Sequence, residues 1–379
     1  PGHVQSRLAR GDLLRRLQRM EEAETDYARV VEEAPANPRA RIGLALIHLS
    51  QRDTAAARRD LDALNRLAPS LPAGIYLQAL LSFQEKDYDR ASDELQRLLG
   101  VAPSNLQAQL LYGIVSYARG EFTIADDYLS RVYASLPGNL QLVKLLGAAR
   151  LKLRQPDRAV AALSSVVDEN TQDVQLLALI GTAYLQAGDN SKGAEYIARA
   201  VELDPDQALL RTQLAVGRLV TGDTTEAISE LESAVALGQD VIQADVLLVL
   251  SYLNKQEFEK AVAAAQALQQ RMLESPNNLI GLAYLSQRKL DLAREQFDLA
   301  LEKDPEFLVA RMNLARLAVV ERQLGEAAAA YEAVLRQDPK HLQAMMGLAA
   351  LANAQNDSAG AERWLLRANQ TNPKALQPI

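Results

Sequence analysis

Small and hydrophobic residues recur along this chain every 34 positions. A small residue occurs every 34 positions on both sides of Ala125, except for one interval of 32 positions between Ala261 and Ala293. The series is Ala23, Ala57, Ala91, Ala125, Ala159, Gly193, Ala227, Ala261, Ala293, Ala327 and Ala361. Such regular spacing indicates an array of repeats rather than several separate globular domains.

Two further series predict that each repeat contains two closely packed helices. Large apolar residues follow four and seven positions after the Ala, as at Leu129 and Val132 or at Leu163 and Val166, which places them on one helical face. Small residues precede the Ala by 12 positions, interrupted by Val249: Gly11, Ala45, Ala79, Gly113, Gly147, Gly181, Ala215, Gly281, Ala315 and Ala349. Because Gly costs a helix about 1 kcal/mol relative to Ala, we expect these positions to mark a close helix crossing.

Proline and glycine predict where the helices end. Gly120, Gly188 and Gly222 lie in turns between the two helices, where a C-cap with positive φ is expected. Proline stops the second helix of most repeats, at Pro35, Pro69, Pro103, Pro137, Pro205, Pro305, Pro339 and Pro373. The helix pairs are predicted to begin near residues 4, 38, 72, 106, 140, 174, 208, 242, 274, 308 and 342.

The short step lies in the segment "LQQRMLESPNNLIG", residues 268–281. Removing two residues inside a helix would rotate everything beyond it by about 200°, yet the apolar series stay in phase on both sides. Ser275 and Pro276 are typical of an N-cap and a first helical residue. We therefore predict a shortened turn between the eighth and ninth repeats, and one continuous solenoid over residues 4–375 without a linker.

These landmarks resemble the tetratricopeptide repeat over essentially the whole chain. The resemblance implies an all-α fold, a right-handed α-solenoid of about eleven helix-turn-helix repeats. Departures are local: Arg10 and Gln78 stand where the family usually has Leu, and Gly193 replaces an Ala of the second helix. The last helix carries Trp364 and Leu365 instead of a polar outer face, so we expect the native protein to continue with further repeats on at least one side.

Composition argues against several function classes. A net charge of −7 gives no strongly basic footprint, so no nucleic acid partner is expected. The absence of Cys excludes disulfides, Cys-based zinc sites and thiol nucleophiles, and the three His residues lack metal-ligand spacing. With no phosphate-binding or nucleophile motif, we expect no enzyme, no cofactor and no metal. The basic run from Arg7 to Arg19 is either a solvated helix face or a contact for an anionic partner.

The resemblance also implies a concave groove lined by the first helix of each repeat. In the second to fourth repeats this face is apolar: Ile42, Leu46, Leu49, Tyr76, Leu80, Phe83, Leu110, Ile114 and Tyr117. In the fifth and sixth repeats it is polar: Gln141, Lys144, Lys152, Gln175 and Thr182. An exposed apolar patch is typical of a partner site, although these side chains can instead pack against one another. The polar part suits peptide backbones and sugar hydroxyls equally well.

Longer phrases resemble one bacterial subgroup, the tetratricopeptide lipoproteins of the PEP-CTERM and exosortase system known as PrsT. Two of them are "GIYLQALLSFQEKDYDRA" (74–91) and "GNLQLVKLLGAARLKLRQPDRAV" (138–160). The resemblance implies a non-enzymatic protein-binding scaffold on the periplasmic side of the bacterial cell envelope, associated with exopolysaccharide export and PEP-CTERM protein sorting. The membrane would be reached only through a lipid anchor that this sequence does not contain.

Two other functions stay open at this point. The groove could bind or guide exopolysaccharide directly, or the repeats could form the substrate-selecting arm of a larger enzyme.

Overall fold

The structure, a computed structural model, describes residues 2–239, 241–271 and 276–371. These residues form 22 α-helices and no strand. They divide into two compact units, Pro1–Leu203 and Asp204–Ile379. The expected all-α solenoid of helix pairs is confirmed, whereas one continuous array over residues 4–375 stays a prediction.

The first unit contains six helix pairs. Its helices are α1 (Gly2–Arg16), α2 (Met20–Glu33), α3 (Pro38–Ser50), α4 (Thr54–Leu67), α5 (Pro72–Gln84), α6 (Tyr88–Val101), α7 (Leu106–Ala118), α8 (Phe122–Ser135), α9 (Leu140–Lys152), α10 (Pro156–Leu163), α11 (Val174–Ala187) and α12 (Asn190–Leu203). Each first helix packs against its own second helix, and within the unit each second helix packs against the first helix of the next pair, as α4 does with α3 and α5.

The second unit repeats this packing with five pairs. Its helices are α13 (Ala208–Thr221), α14 (Thr224–Ala236), α15 (Ile242–Asn254), α16 (Phe258–Arg271), α17 (Asn277–Ser286), α18 (Leu290–Lys303), α19 (Leu308–Val320), α20 (Leu324–Gln337), α21 (Leu342–Ala354) and α22 (Ser358–Thr371). Ser275 and the predicted start near 274 lie outside the described residues. Pro276 is the N-cap of α17 rather than its first helical residue.

The small residues do mark close helix crossings. A Cβ atom added at Gly113 would lie 2.7 Å from Leu129 Cδ2, and one at Gly281 would lie 2.5 Å from Phe297 Cε1. Real Cβ atoms essentially never approach other atoms closer than 3.0 Å. Glycine in the first helix therefore makes room for the large residue of the second helix, as the two series predicted.

The second helix of the fifth repeat is shorter than predicted. α10 has 8 residues, whereas the other second helices have 13 or 14. Placing Val166 on its helical face was wrong, because α10 ends at Leu163. The Thr171 hydroxyl accepts from the Asp168 N–H at 2.8 Å and donates to the Asp168 carboxylate at 2.9 Å, while Arg199 donates to the Asp168 carbonyl at 3.0 Å. These side-chain bonds hold a turn that competes with the helix.

The turn between the two helices of each repeat contains one residue with positive φ. The prediction is confirmed for Gly120, Gly188 and Gly222, with φ of 78°, 88° and 93°. The other eight repeats place a residue with a side chain at the same position, with φ between 55° and 63°: Gln18, Arg52, Lys86, Arg154, Gln256, Arg288, Arg322 and Asn356. The left-handed conformation is therefore a property of the repeat, whichever residue occupies it.

Candidate functional site

An apolar cleft lies over three successive first helices of the first unit. It has a volume of about 550 Å³, and we call it the α3–α5–α7 cleft. Its lining consists of Arg15, Ile42, Leu46, Pro72, Ala73, Tyr76, Leu77, Leu80, Asn105 and Gln107. The structure thus brings together four residues of the predicted groove: Ile42, Leu46, Tyr76 and Leu80.

The repeat register explains why these four side chains meet. Leu46 follows Ile42 by one helical turn on α3, and Tyr76 and Leu80 occupy the same positions 34 residues later on α5. All four are half-buried, because their inner sides pack on the core of the repeats. Burial also raises the pKa of the Tyr76 phenol. The wall of the cleft is therefore apolar and held on rigid helices.

A second cleft of about 280 Å³ adjoins the first, and Arg15, Leu46 and Leu80 line both. Leu49 also lines it, although only 2% of this side chain is exposed. Leu49 is thus a core residue that forms the edge of the cleft, with little of its surface free for a partner.

The remaining predicted apolar residues do not line the α3–α5–α7 cleft. Phe83 packs on the Tyr88 ring at 5.9 Å, and Tyr117 packs on the Phe122 ring at 5.4 Å. Leu110 is packed against the core between α8 and α9, and Ile114 is half-buried on α7. Packing within the repeats therefore covers much of the apolar surface of these side chains, which the sequence pattern predicts to be free for a partner.

Arg15 is a cleft residue that the predicted groove omitted. It comes from α1, and its side chain is half-buried. Its buried Nε has no hydrogen-bond acceptor over the described residues, while its charge interacts with the Asp12 carboxylate and its side chain hydrogen-bonds with Tyr27. Arg15 precedes Leu49 by 34 positions, so extending the groove register back by one repeat would have found it. The cleft therefore combines apolar walls with a guanidinium whose Nε donor is unused.

In the polar part of the predicted groove, Lys144 is already paired. Its Nζ lies 2.8 Å from Asp173 Oδ2 and 3.3 Å from Gln175 Oε1. Asp173 is also the N-cap of α11 and accepts from the Leu176 N–H at 2.9 Å. Burial pushes the pKa of Asp173 up, but the bonds from Lys144 and Leu176 outweigh it and leave the pKa lowered. Lys144 and Gln175 are thus brought together, with the lysine charge balanced inside the chain.

The other polar residues of the predicted groove make no hydrogen bond to Lys144 or Gln175 over the described residues. Gln141 and Lys152 are exposed near opposite ends of α9. The Thr182 hydroxyl donates to the Ala178 carbonyl of its own helix at 2.7 Å. Their place in a shared partner site with Lys144 stays a prediction.

The part of the chain that the structure describes contains neither a metal-binding cluster nor a membrane-spanning helix. No group of three or more His, Asp or Glu side chains there is arranged to hold a metal ion. None of the 22 helices is both long enough and apolar enough to cross a lipid bilayer.

Solved structures with similar folds share little sequence with this chain. Yeast Tom70 is 14% identical with a TM-score of 0.49, covering 98% of this chain and 92% of Tom70. The Cut9–Hcn1 hetero-tetramer of the APC/C is 14% identical with a TM-score of 0.46, covering 97% of this chain and 93% of that one. YrrB, described as a TPR protein with an unusual peptide-binding site, is 20% identical with a TM-score of 0.44, covering 48% of this chain and 95% of YrrB. No curated protein sequence matches the chain.

A sequence profile gives the family. The profile of the tetratricopeptide repeat matches residues 8–72, 76–139, 145–208, 278–339 and 312–375, which is more than half of the chain. These matches fall on the helix pairs, the close crossings and the inter-helix turns described above. The chain belongs to the tetratricopeptide repeat family.

Proposed function

We propose that this protein is a non-enzymatic scaffold that binds a segment of a partner protein in the α3–α5–α7 cleft. Tetratricopeptide repeat proteins are generally scaffolds of this kind. The observation that carries the proposal is an apolar cleft of about 550 Å³ over adjacent repeats, walled by Ile42, Leu46, Tyr76 and Leu80. Apolar side chains held on rigid helices around a pocket are favourable anchor points for a partner.

The chemistry of the cleft specifies the kind of segment that fits. Apolar side chains of the partner would fill the space between Leu46, Tyr76 and Leu80. Arg15 lines the same cleft, and its buried Nε has no hydrogen-bond acceptor among the described residues. A carboxylate beside the apolar residues would therefore form a charge-assisted hydrogen bond with its guanidinium. The expected ligand is a peptide segment that combines apolar residues with Asp or Glu.

A selection of random displayed peptides against the whole chain tests this function. We expect the selected peptides to carry an acidic residue next to apolar ones. Calorimetry should show that Tyr76→Ala with Leu80→Ala weakens binding by about 10- to 100-fold, because each truncation removes an anchor. Arg15→Gln should weaken binding and reduce its dependence on salt.

The control for this experiment is Tyr284→Ala, which truncates a half-buried tyrosine of the second unit. It should leave the peptide affinity unchanged. If the cleft variants bind the selected peptides as tightly as the wild-type chain, the assignment of the site is wrong.

The proposed setting is the periplasmic side of the bacterial cell envelope, beside exopolysaccharide export and PEP-CTERM protein sorting. Its support is the resemblance of residues 74–91 and 138–160 to the PrsT lipoproteins. Fractionation of the native host with an antibody against this chain is the test. We expect the protein in the membrane fraction, and accessible to protease once the outer membrane is opened. Recovery in the cytoplasmic fraction would rule out this setting.

A further inference from the structure

A smaller cavity lies between α4, α5 and α6, and the proposed function does not use it. It has a volume of about 200 Å³. One side is apolar and includes Leu61, Leu64 and Ile75. The other side is polar and includes Gln78 and Glu94. This mixed lining differs from the apolar walls of the α3–α5–α7 cleft.

Three residues at the junction of the second and third repeats differ from their counterparts in the neighbouring repeats. Gly74, Gln78 and Asn65 line it. The repeats on either side have apolar residues at the same positions: Ala40 and Ala108, Leu44 and Tyr112, and Val31 and Leu99. Gly74 removes a methyl group that would lie 3.2 Å from Leu64 Cδ2. Gln78 is one of the positions where the chain departs from the family pattern. The cavity therefore coincides with unusual residues in the third repeat, Gly74 and Gln78, and at the end of the second, Asn65.

Gln78 provides a hydrogen-bond donor that the fold leaves unused. Its Nε2 is buried, and no acceptor lies within hydrogen-bond distance over the described residues. Buried polar groups are usually paired, because leaving a donor without an acceptor is costly. An oxygen atom of a bound molecule would provide that acceptor. A leucine, which the family usually has at this position, would leave no buried donor without an acceptor.

The charges around the cavity balance one another. Arg90 and Arg97 are cationic, and Asp62 and Glu94 are anionic. Glu94 is mostly buried, pairs with Arg90 at 3.2 Å and accepts from the Ser82 hydroxyl at 3.2 Å. Burial raises the pKa of Glu94, and the contacts with Arg90 and Ser82 oppose this rise only in part. The cavity thus offers donors and acceptors together without a net charge, which favours an uncharged ligand.

We propose that this cavity binds an uncharged polyhydroxyl molecule no larger than a monosaccharide. Hydroxyl groups both donate and accept, so they can satisfy the Gln78 amide and the nearby carboxylates at once. Leu61, Leu64 and Ile75, at 2%, 1% and 6% exposure, present only a small apolar edge to the ligand, so the polar contacts carry most of the recognition. The volume of about 200 Å³ lies below the roughly 300–1,000 Å³ of pockets for drug-sized ligands.

Saturation-transfer NMR and calorimetry on the whole chain test this site. The probes are glucose, galactose, mannose and N-acetylglucosamine, with glycine and inorganic phosphate as charged comparisons. We expect at least one neutral sugar to bind and the charged probes not to bind. The double variant Gly74→Ala with Gln78→Leu restores the residues of a neighbouring repeat and should weaken sugar binding at least about tenfold by filling the cavity.

The double variant is expected to fold, since Ala is a better helix former than Gly and Leu is about as good as Gln, and thermal melting will verify it. Asn65→Val, at an exposed position of the lining, provides a second variant that should also weaken binding. Gly100→Ala is the matched control, because its added Cβ meets nothing within 4 Å, and it should not alter binding. Failure of every neutral sugar to bind, binding of the charged probes alone, or unchanged binding in both cavity variants would each overturn the proposal.

Discussion

Replacing Gly181 by leucine is expected to lower the free energy of unfolding by about 3 kcal/mol or more. A Cβ atom at Gly181 would lie 2.5 Å from Ile197 Cγ1, 3.0 Å from the Gly193 carbonyl oxygen and 3.2 Å from the Ile197 nitrogen. The isoleucine side chain can turn away, but the α12 backbone can move only if the helix crossing opens. Overpacking of a core typically costs about 1–3 kcal/mol, and contact with backbone puts this site at or above that range.

Urea unfolding measures the loss, and hydrogen exchange locates it in α11 and α12. Gly325→Leu is the matched control, since an added Cβ at Gly325 meets nothing within 4 Å. It should change stability little. Equal losses for the two leucine variants would mean that the α11–α12 crossing tolerates a larger separation than its geometry indicates.

Removal of the Asp126 carboxylate is expected to have an effect of similar size, about 3–5 kcal/mol. Asp126 and Arg150 are 8% and 9% exposed, and Arg150 Nε lies 2.8 Å from Asp126 Oδ1. Arg158 approaches the other oxygen at 2.9 Å. In Asp126→Ala, the Arg150 guanidinium stays buried without its counterion. A buried charge without a counterion is strongly destabilising.

The neighbouring residue provides the control for this second prediction. Asp127 pairs with Arg131 on the surface, where both side chains are about half-exposed, and such pairs contribute about 0.3–0.5 kcal/mol. Urea unfolding of Asp127→Ala should therefore show only a small loss. The double variant Asp126→Leu with Arg150→Met should recover much of the stability, because it leaves no buried unpaired charge, and the half-exposed Arg158 stays in contact with water. Comparable losses for Asp126→Ala and Asp127→Ala would contradict the predicted role of burial.

The repeat register was readable from the sequence because small residues and prolines have few structural uses. A glycine inside a helix, as at Gly113 or Gly281, destabilises the helix, so its recurrence indicates that another helix packs closely there. Proline ends a helix. Two features could not be predicted from small residues and prolines. The early end of α10 depends on contacts of Thr171 and Asp168 with the backbone, and the left-handed turns at residues such as Arg52 are imposed by the geometry of the helix pair.

The candidate site was predictable only as a face of the helices. The register correctly placed Ile42, Leu46, Tyr76 and Leu80 side by side. It could not tell which members of that face pack onto neighbouring rings, as Phe83 does, because that depends on side-chain positions in the next helix. The ion pair of Lys144 likewise forms with a residue 29 positions away.

Substitutions in the left-handed turns can change the stability of the repeats without changing the side chains that line the α3–α5–α7 cleft. A residue with a side chain costs roughly 1–2 kcal/mol more than glycine in this conformation, although glycine loses part of that advantage through its greater freedom in the unfolded chain. Arg52 and Lys86 hold such turns in the second and third repeats, and neither lines the α3–α5–α7 cleft. Glycine at these two positions would hold the cleft walls more firmly while leaving every contacting side chain in place. The contribution of preorganisation to ligand affinity can therefore be separated from the contribution of direct contacts within this one protein.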